Sequence, residues 1–229
     1  MIDALRYEIV RVLGFGEEVF EILASESPHF QPAFVVYAAA RDGGAEPPLR
    51  TAVAAVLSRW AAMVIDDVLD AEPAKNGVRT LFGALDRRAL AAGLALLTRC
   101  FELEPMFAAV WGPFVRGWVA ERDLPWIRAA LSKTSFPNVF TALIAARRAG
   151  VSDGLYLRNS LLFWRVVGLV QQLYDDLIDG DVPREILAES AREVEREVHN
   201  MRAPGPMHEH YWRSEIAWKW EAVKRELLR

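Results

Sequence analysis

Two long stretches of this chain are apolar on almost every side, and each ends in a cluster of aspartates. Trp60–Leu69 leads into Asp66-Asp67-Val68-Leu69-Asp70, and Leu161–Ile178 into Asp175-Asp176-Leu177-Ile178-Asp179, with Asp181 just beyond. Ala52–Leu69 has only Ser58, Arg59 and the Asp66-Asp67 pair as polar breaks; Leu161–Leu173 has only Arg165 and Gln171-Gln172. Helices that are apolar all round belong in the centre of a bundle, so carboxylates on them must face a cavity and not bulk water. On a helix, positions i and i+4 share a face. Like charges at that spacing repel by a few tenths of a kcal/mol when exposed, and burial raises the cost unless a cation sits among them. Hard divalent cations bound through oxygen meet that need, above all Mg²⁺ with substrate phosphate completing its shell. One such cluster is commonplace on a solvated helix face. Two, each behind an apolar run, point to a metal–diphosphate site.

The rest of the chain reads as helix. The periodicity predicts helices near 2–24, 30–41, 48–71, 80–101, 105–121, 124–132, 136–149, 153–179, 183–200 and 209–228, separated by Gly and Pro positions such as Asp42-Gly43-Gly44, Pro105, Pro125 and Pro204-Gly205-Pro206. Strand signals are nearly absent, and Asn76-Gly77 lies between helical patterns. Ser152 and Asp153 are placed to cap the helix that carries the second cluster. The C-terminal helix, with Trp212, Trp218 and Trp220 among many charges, reads as an amphipathic cover. A length of 229 residues suits a single all-α domain spanning 1–229. A net charge of −4 gives no sign of nucleic-acid binding. The lone Cys100 fits a reducing compartment, Met1-Ile2-Asp3-Ala4 lacks the order of a signal peptide, and no run has the length of a membrane span. A cytoplasmic location is the expectation.

In register with both aspartate clusters stand Lys75-Asn76-Gly77-Val78-Arg79-Thr80, Lys133-Thr134-Ser135 and Gln172, three residues before Asp175. With these anchors the sequence resembles the trans-isoprenyl diphosphate synthase and class I terpene synthase superfamily, over roughly Ser27 to Asp181. The resemblance implies an isoprenoid synthase-type helical bundle around a deep apolar central cavity, with the two Asp-rich motifs facing each other across its mouth. It also implies three Mg²⁺ ions bridging those aspartates to the diphosphate of an allylic prenyl substrate, and a homodimer. Lys133 takes the place of the family lysine that binds the allylic diphosphate.

The departures are as informative. Chain-elongating members hold isopentenyl diphosphate with a basic Gly-Lys-x-x-Arg-Pro segment; here the aligned stretch is Ser27-Pro28-His29-Phe30-Gln31-Pro32. Asn76 replaces the second arginine of the family's Arg-Arg pair, and Gly180–Leu187 offers no match for the lysine-bearing loop after the second motif. Each lost cation removes a charge-assisted contact worth about 1.5–3 kcal/mol. Losing three weakens such a site by several orders of magnitude. The allylic site is kept and the non-allylic one is degraded.

The expected function is therefore ionisation of one allylic prenyl diphosphate, followed by cyclisation or by transfer to an acceptor other than isopentenyl diphosphate. Asp66, Asp70, Asp175 and Asp179 are the expected metal ligands, with Asp67 and Asp176, turned about 100° away, in partial or supporting roles. Lys133, with Lys75 and Arg79, adds charge to the diphosphate clamp, Thr134 lies beside it, and Gln172 orients the metal shell. Phe136, Phe140, Phe163, Trp164 and Trp60 are candidate faces for a carbocation, each equally readable as core. Ala61 and Ala62, one turn before Asp66, leave the pocket floor open to a prenyl tail of twenty carbons or more. The alternatives are a conventional polyprenyl diphosphate synthase and a non-catalytic prenyl-binding subunit. No serine, cysteine or histidine nucleophile is required, and no convincing triad is legible.

Overall fold

In a computed structural model the chain is described over residues 2–13, 17–26, 30–75, 77–119, 124–180 and 182–228, with backbone alone at 9, 12, 13, 17, 26 and 116–119. Ser27, Pro28, His29, Asn76 and Asp181, all used in the sequence reading, lie outside the described residues. The described chain is overwhelmingly helical. It divides into two compact units, one of Met1–Val36 with Pro48–Ala108 and one of Tyr37–Pro47 with Ala109–Arg229.

The first unit contains α1 (Ile2–Leu13), α2 (Glu17–Glu26), the start of α3 (Gln31–Arg41), α4 (Leu49–Leu69), a hairpin of β1 (Ala74–Lys75) and β2 (Val78–Arg79), α5 (Leu81–Leu85), α6 (Arg88–Leu103) and the first turn of α7 (Met106–Val119). Its centre is α4. Thr51 to Leu57 are all buried, as are Trp60, Ala61, Ala62, Val64 and Asp67, and α6 packs along this helix. Phe20 and Phe30 set their rings on Trp60 at centroid distances of 5.8 and 5.9 Å. Arg99 of α6 ties down α1 by donating to both oxygens of Glu8, at 2.6 and 3.0 Å, and this guanidinium holds the Glu8 carboxyl below its ordinary range.

Two boundaries differ from the sequence reading. The helix expected over 2–24 is described as α1 and α2, with residues 14–16 outside the described residues. The helix expected over 80–101 breaks between α5 and α6 at Asp86, which takes φ 53° and ψ −144°, outside the helical region. A short hairpin stands where only helical patterns were expected, pairing Ala74 with Arg79 and Lys75 with Val78, with Gly77 at φ 77°.

The second unit is built on α10 (Gly154–Asp179), a helix of 26 residues. Asp153 caps its start by accepting from the Leu155 and Tyr156 amides, at 2.9 and 3.1 Å, and Gly180 ends it at φ 73°. Against α10 pack a continuous helical stretch and α11 (Arg184–Asn200). The stretch comprises α8 (Trp126–Ala130), a π-helical turn over Leu131–Ser135, and α9 (Phe136–Arg148). The C-terminal stretch repeats the pattern: α12 (Pro206–Tyr211), a second π turn over Trp212–Ile216, and α13 (Ala217–Leu227). Trp164, on α10, meets Phe163, Tyr211 and His208 at 5.1, 5.3 and 5.4 Å between ring centroids.

Beside that aromatic cluster runs a sealed hydrogen-bonded line. His208 Nδ1 lies 2.6 Å from Asp42 Oδ2, and its Nε2 lies 2.9 Å from Ser160 Oγ. His208 is 0% and Ser160 2% exposed. Burial holds the imidazole below its ordinary pKa, with Asp42 pulling the other way. The neutral ring therefore donates from Nδ1 to Asp42 and accepts the Ser160 hydroxyl at Nε2. Asp42 also accepts from the Met207 and His208 amides and so caps α12. The residue types are those of a nucleophilic triad, but no substrate reaches a serine so enclosed. It is a brace. Among the described residues, no helix is long and apolar enough to cross a membrane.

Candidate functional site

Each aspartate cluster sits at the C-terminal end of the longest helix of its own unit, α4 or α10. On α4, Asp66 is half-buried, Asp70 is exposed, and Asp67 is only 3% exposed. The Asp67 carboxyl is pushed up to about 6, first by burial; Lys75 pulls it back down, while Asp66, Glu72 and Asp70 add to the rise. The aspartate expected to play a partial role is thus the one most deeply set. The hairpin brings Lys75 back towards this cluster, its ammonium 3.6 Å from Glu72 Oε2. Thr80 Oγ1 donates to the Glu72 carbonyl at 2.7 Å and caps α5, and the Arg79 guanidinium donates to the Gly83 carbonyl at 2.9 and 3.1 Å. Ala61 and Ala62 are buried at 0% and 5% exposure on the turn before Asp66.

On α10, Asp175 and Asp179 are exposed, whereas Asp176 is turned inward and held from two sides. Trp126 donates its indole N–H to Asp176 Oδ2 at 2.6 Å, and Gln172 donates its amide to Asp176 Oδ1 at 2.7 Å. The Gln172 carbonyl in turn accepts from the Thr134 hydroxyl. Lys133 and Thr134 lie in the first π turn, which is pressed onto α10 at Gly168. A Cβ on Gly168 would stand 2.6 Å from Ser135 Cα and 2.8 Å from its nitrogen and hydroxyl oxygen. Ser135, fully buried, donates to the Arg165 carbonyl at 2.9 Å. Gly168→Ala should therefore lose about 1–3 kcal/mol of stability through this overlap, measured by urea denaturation; an unchanged midpoint would show that the π turn yields freely.

Two residues with roles at these clusters were not found from sequence. Trp126 is one. Lys219 of α13 is the other, its ammonium 3.8 Å from Asp175 Oδ1 and stacked over the rings of Tyr174 and Trp218 at 5.0 and 5.6 Å. Neither carries a motif; a signal exists only in hindsight, in Trp126 directly after Pro125 and in Lys219 between two tryptophans. Of the expected cation-facing aromatics, Phe136 is 39% exposed and pairs with the half-buried Phe140 at 6.2 Å. Phe163 and Trp164 are fully buried among His208, Tyr211 and Trp212, and the Trp164 indole N–H has no hydrogen-bond partner among the described residues.

Among the described residues, no three His, Cys, Asp or Glu side chains converge to enclose a metal ion. The donor set nonetheless suits Mg²⁺. All six motif side chains offer hard carboxylate oxygens, and Mg²⁺ is commonly held by one or two carboxylates with substrate phosphates supplying the rest, not by a closed protein cage.

No protein-family model and no curated protein matches the sequence. Solved structures do. A decaprenyl diphosphate synthase from Rhodobacter capsulatus is 18% identical with a TM-score of 0.71, over 98% of this chain and 84% of that one. An isoprenoid synthase family member from Thermotoga neapolitana is 16% identical with a TM-score of 0.69, over 97% of each. A geranylgeranyl pyrophosphate synthetase from the archaeon Geoglobus acetivorans is 14% identical with a TM-score of 0.64, over 100% and 98%. At such identities the likeness is one of fold: this chain has the all-α isoprenoid synthase fold, as its aspartate motifs led us to expect.

Proposed function

We propose that this protein is a Mg²⁺-dependent enzyme that ionises one allylic prenyl diphosphate. The observation that carries the reading is the pair of Asp-Asp-x-x-Asp clusters at the ends of the buried helices α4 and α10, in a chain with the fold of prenyl diphosphate synthases. A fold alone does not name a function; the two clusters supply the chemistry. Asp66, Asp70, Asp175 and Asp179 are the ligands, with Asp67 and Asp176 supporting them. Bound Mg²⁺ would neutralise charge that develops on the leaving diphosphate as the allylic C–O bond breaks. Lys133 contributes a fixed positive charge to that diphosphate, and Lys75 and Arg79 lie in the segment that follows the first cluster. Apolar and aromatic side chains keep water from the cation until it is captured within the molecule or by an acceptor.

Cyclisation, or transfer to an acceptor other than isopentenyl diphosphate, is the preferred second step, because the basic residues that would hold isopentenyl diphosphate are replaced at Pro28, Gln31 and Asn76. The competing reading is chain elongation, favoured by the names of the similar structures, which include decaprenyl, heptaprenyl and geranylgeranyl diphosphate synthases. One assay separates them: product analysis with geranylgeranyl diphosphate and Mg²⁺, with and without isopentenyl diphosphate. A hydrocarbon or alcohol from the single substrate supports our reading. A longer diphosphate formed only with isopentenyl diphosphate overturns the second step and keeps the first. No diphosphate release under any condition overturns the proposal.

The small residues below Asp66 set the tail length in this reading. Ala62→Phe should shift the preferred substrate from twenty carbons or more towards shorter prenyl chains, read as relative kcat/KM across a substrate series. An unchanged ranking would remove Ala62 from the pocket floor.

A further inference from the structure

The second aspartate cluster does not stand alone on α10; it is gripped from α8 and the π turn. Trp126 holds one oxygen of Asp176 at 2.6 Å, and Thr134 holds Gln172, whose amide holds the other oxygen at 2.7 Å. The two grips come from one continuous helical stretch and land one turn apart on α10, at Asp176 and Gln172. Together they close a ring of hydrogen bonds: Trp126 to Asp176, Asp176 to Gln172, Gln172 to Thr134, and back along the backbone. Such a ring fixes the orientation of the Gln172 amide, carbonyl to Thr134 and NH₂ to Asp176. It also fixes the rotation of α10 about its axis at that level. Asp175 and Asp179, which lie about 100° and 60° from Asp176 around the helix, are turned outward, and both are exposed.

We infer that Trp126 is a positioning residue for the metal–diphosphate site, acting through Asp176, which serves as the brace of the second cluster and not as one of its metal ligands. The inference rests on the function proposed above. It assigns Trp126 a role that nothing in its sequence neighbourhood signals. A carboxylate with a fixed donor on each oxygen cannot swing towards a cation without breaking a short hydrogen bond, whereas its neighbours at 175 and 179 are exposed. Groups that orient metal ligands from behind affect metal affinity by about 10–100-fold when removed.

The test reads metal binding directly. Mn²⁺ is titrated by electron paramagnetic resonance in the presence of inorganic diphosphate, with no prenyl substrate. Trp126→Phe, which keeps a ring and loses the N–H, should weaken Mn²⁺ binding about tenfold. Asp176→Ala should cost at least as much, and the double variant should lose no more than Asp176→Ala alone, because both changes remove the Trp126–Asp176 bond. Thr134→Val, which opens the ring at its other end, should weaken binding in the same direction. It keeps the question answerable if Trp126→Phe fails to fold. Asp179→Ala, the removal of a proposed ligand, should cost more than any of them. Losses that multiply in the double variant, or Trp126→Phe and Thr134→Val within twofold of the parent, overturn the inference while the metal site stands. A parent protein that binds no Mn²⁺ with diphosphate present overturns the proposed function and the inference with it.

Discussion

Asp67→Asn is expected to make the metal-free protein more stable at pH 8 while making the enzyme worse. The Asp67 carboxyl is buried beside Asp66, Glu72 and Asp70, and its pKa rises from an ordinary 3.8 to about 6. A raised carboxylate pKa means that the folded state binds the proton more tightly than the unfolded chain does. Above pH 6 the group is ionised in both states and folding carries the whole cost of burying the charge. As pH falls from about 6 towards 3.8, the folded state takes up its proton first and that cost is relieved. A shift of this size corresponds to roughly 2–3 kcal/mol. Urea denaturation in the presence of a chelator should show the variant more stable than the parent by about that amount at pH 8, with the gap closing by pH 4. Turnover with Mg²⁺ should fall about 10–100-fold, the range seen when a group supporting metal ligands is removed. A variant that is less stable than its parent at pH 8 would mean that Asp67 is held by partners strong enough to outweigh its burial. A carboxylate buried to support a metal site is one the empty protein would rather lose.

Asp42→Ala should have the largest effect on folding of any single change considered. Asp42 accepts from the amides of Met207 and His208 and lies 2.6 Å from His208 Nδ1. Its side chain is 5% exposed and that of His208 is 0% exposed. Truncation strands the buried imidazole N–H and the Met207 and His208 amides, and such unsatisfied donors together cost on the order of 3–5 kcal/mol. Chemical denaturation should place the variant that far below the parent, close to the limit of stability for many domains. A loss under 1 kcal/mol would show that water takes over the vacated role. The parent should also lose stability as pH falls below 6.5. Burial depresses the His208 pKa in the folded state, so the unfolded chain binds the proton first. That trend runs opposite to the contribution from Asp67, and comparing each variant with its parent across pH separates the two.

The parts of this molecule that were legible in the sequence are those governed by local rules. The apolar runs around Asp66 and Asp175 did become the buried helices α4 and α10, because all-round apolarity leaves a helix nowhere else to go. Asp153 caps α10 as its position promised. Where two local rules competed, reading one of them was not enough. The chain turns back at Gly77 although helical patterns flank it, and Asp86 breaks a helix that periodicity alone would have continued. The long-range contacts were silent. Trp126 meets Asp176 across 50 residues, and His208 meets Asp42 across 166. No spacing rule reaches that far, and a lone tryptophan or histidine is too common to signal a partner. Gly168 belongs to the same class: in sequence it is a weak point in a helix, in the structure the place where Ser135 must fit.

The π turn over Leu131–Ser135 has a consequence for how this chain could have diverged from others of its fold. A turn of that kind holds one residue more than an α-helix would use for the same rise. Each helical residue turns the chain by about 100°, so the extra residue sets the phase between everything before the turn and everything after it. Trp126 and Thr134 lie on opposite sides of that phase step or within it, and both must point at α10. Deleting a single residue there would leave a smoother helix and aim one of the two contacts away. Chain length at this spot is thus under tighter constraint than residue identity. Relatives that match position by position elsewhere can fall out of step by one residue between 131 and 135, and a comparison of sequences that allows no gap inside a helix would align the wrong side chains to Lys133 and Thr134.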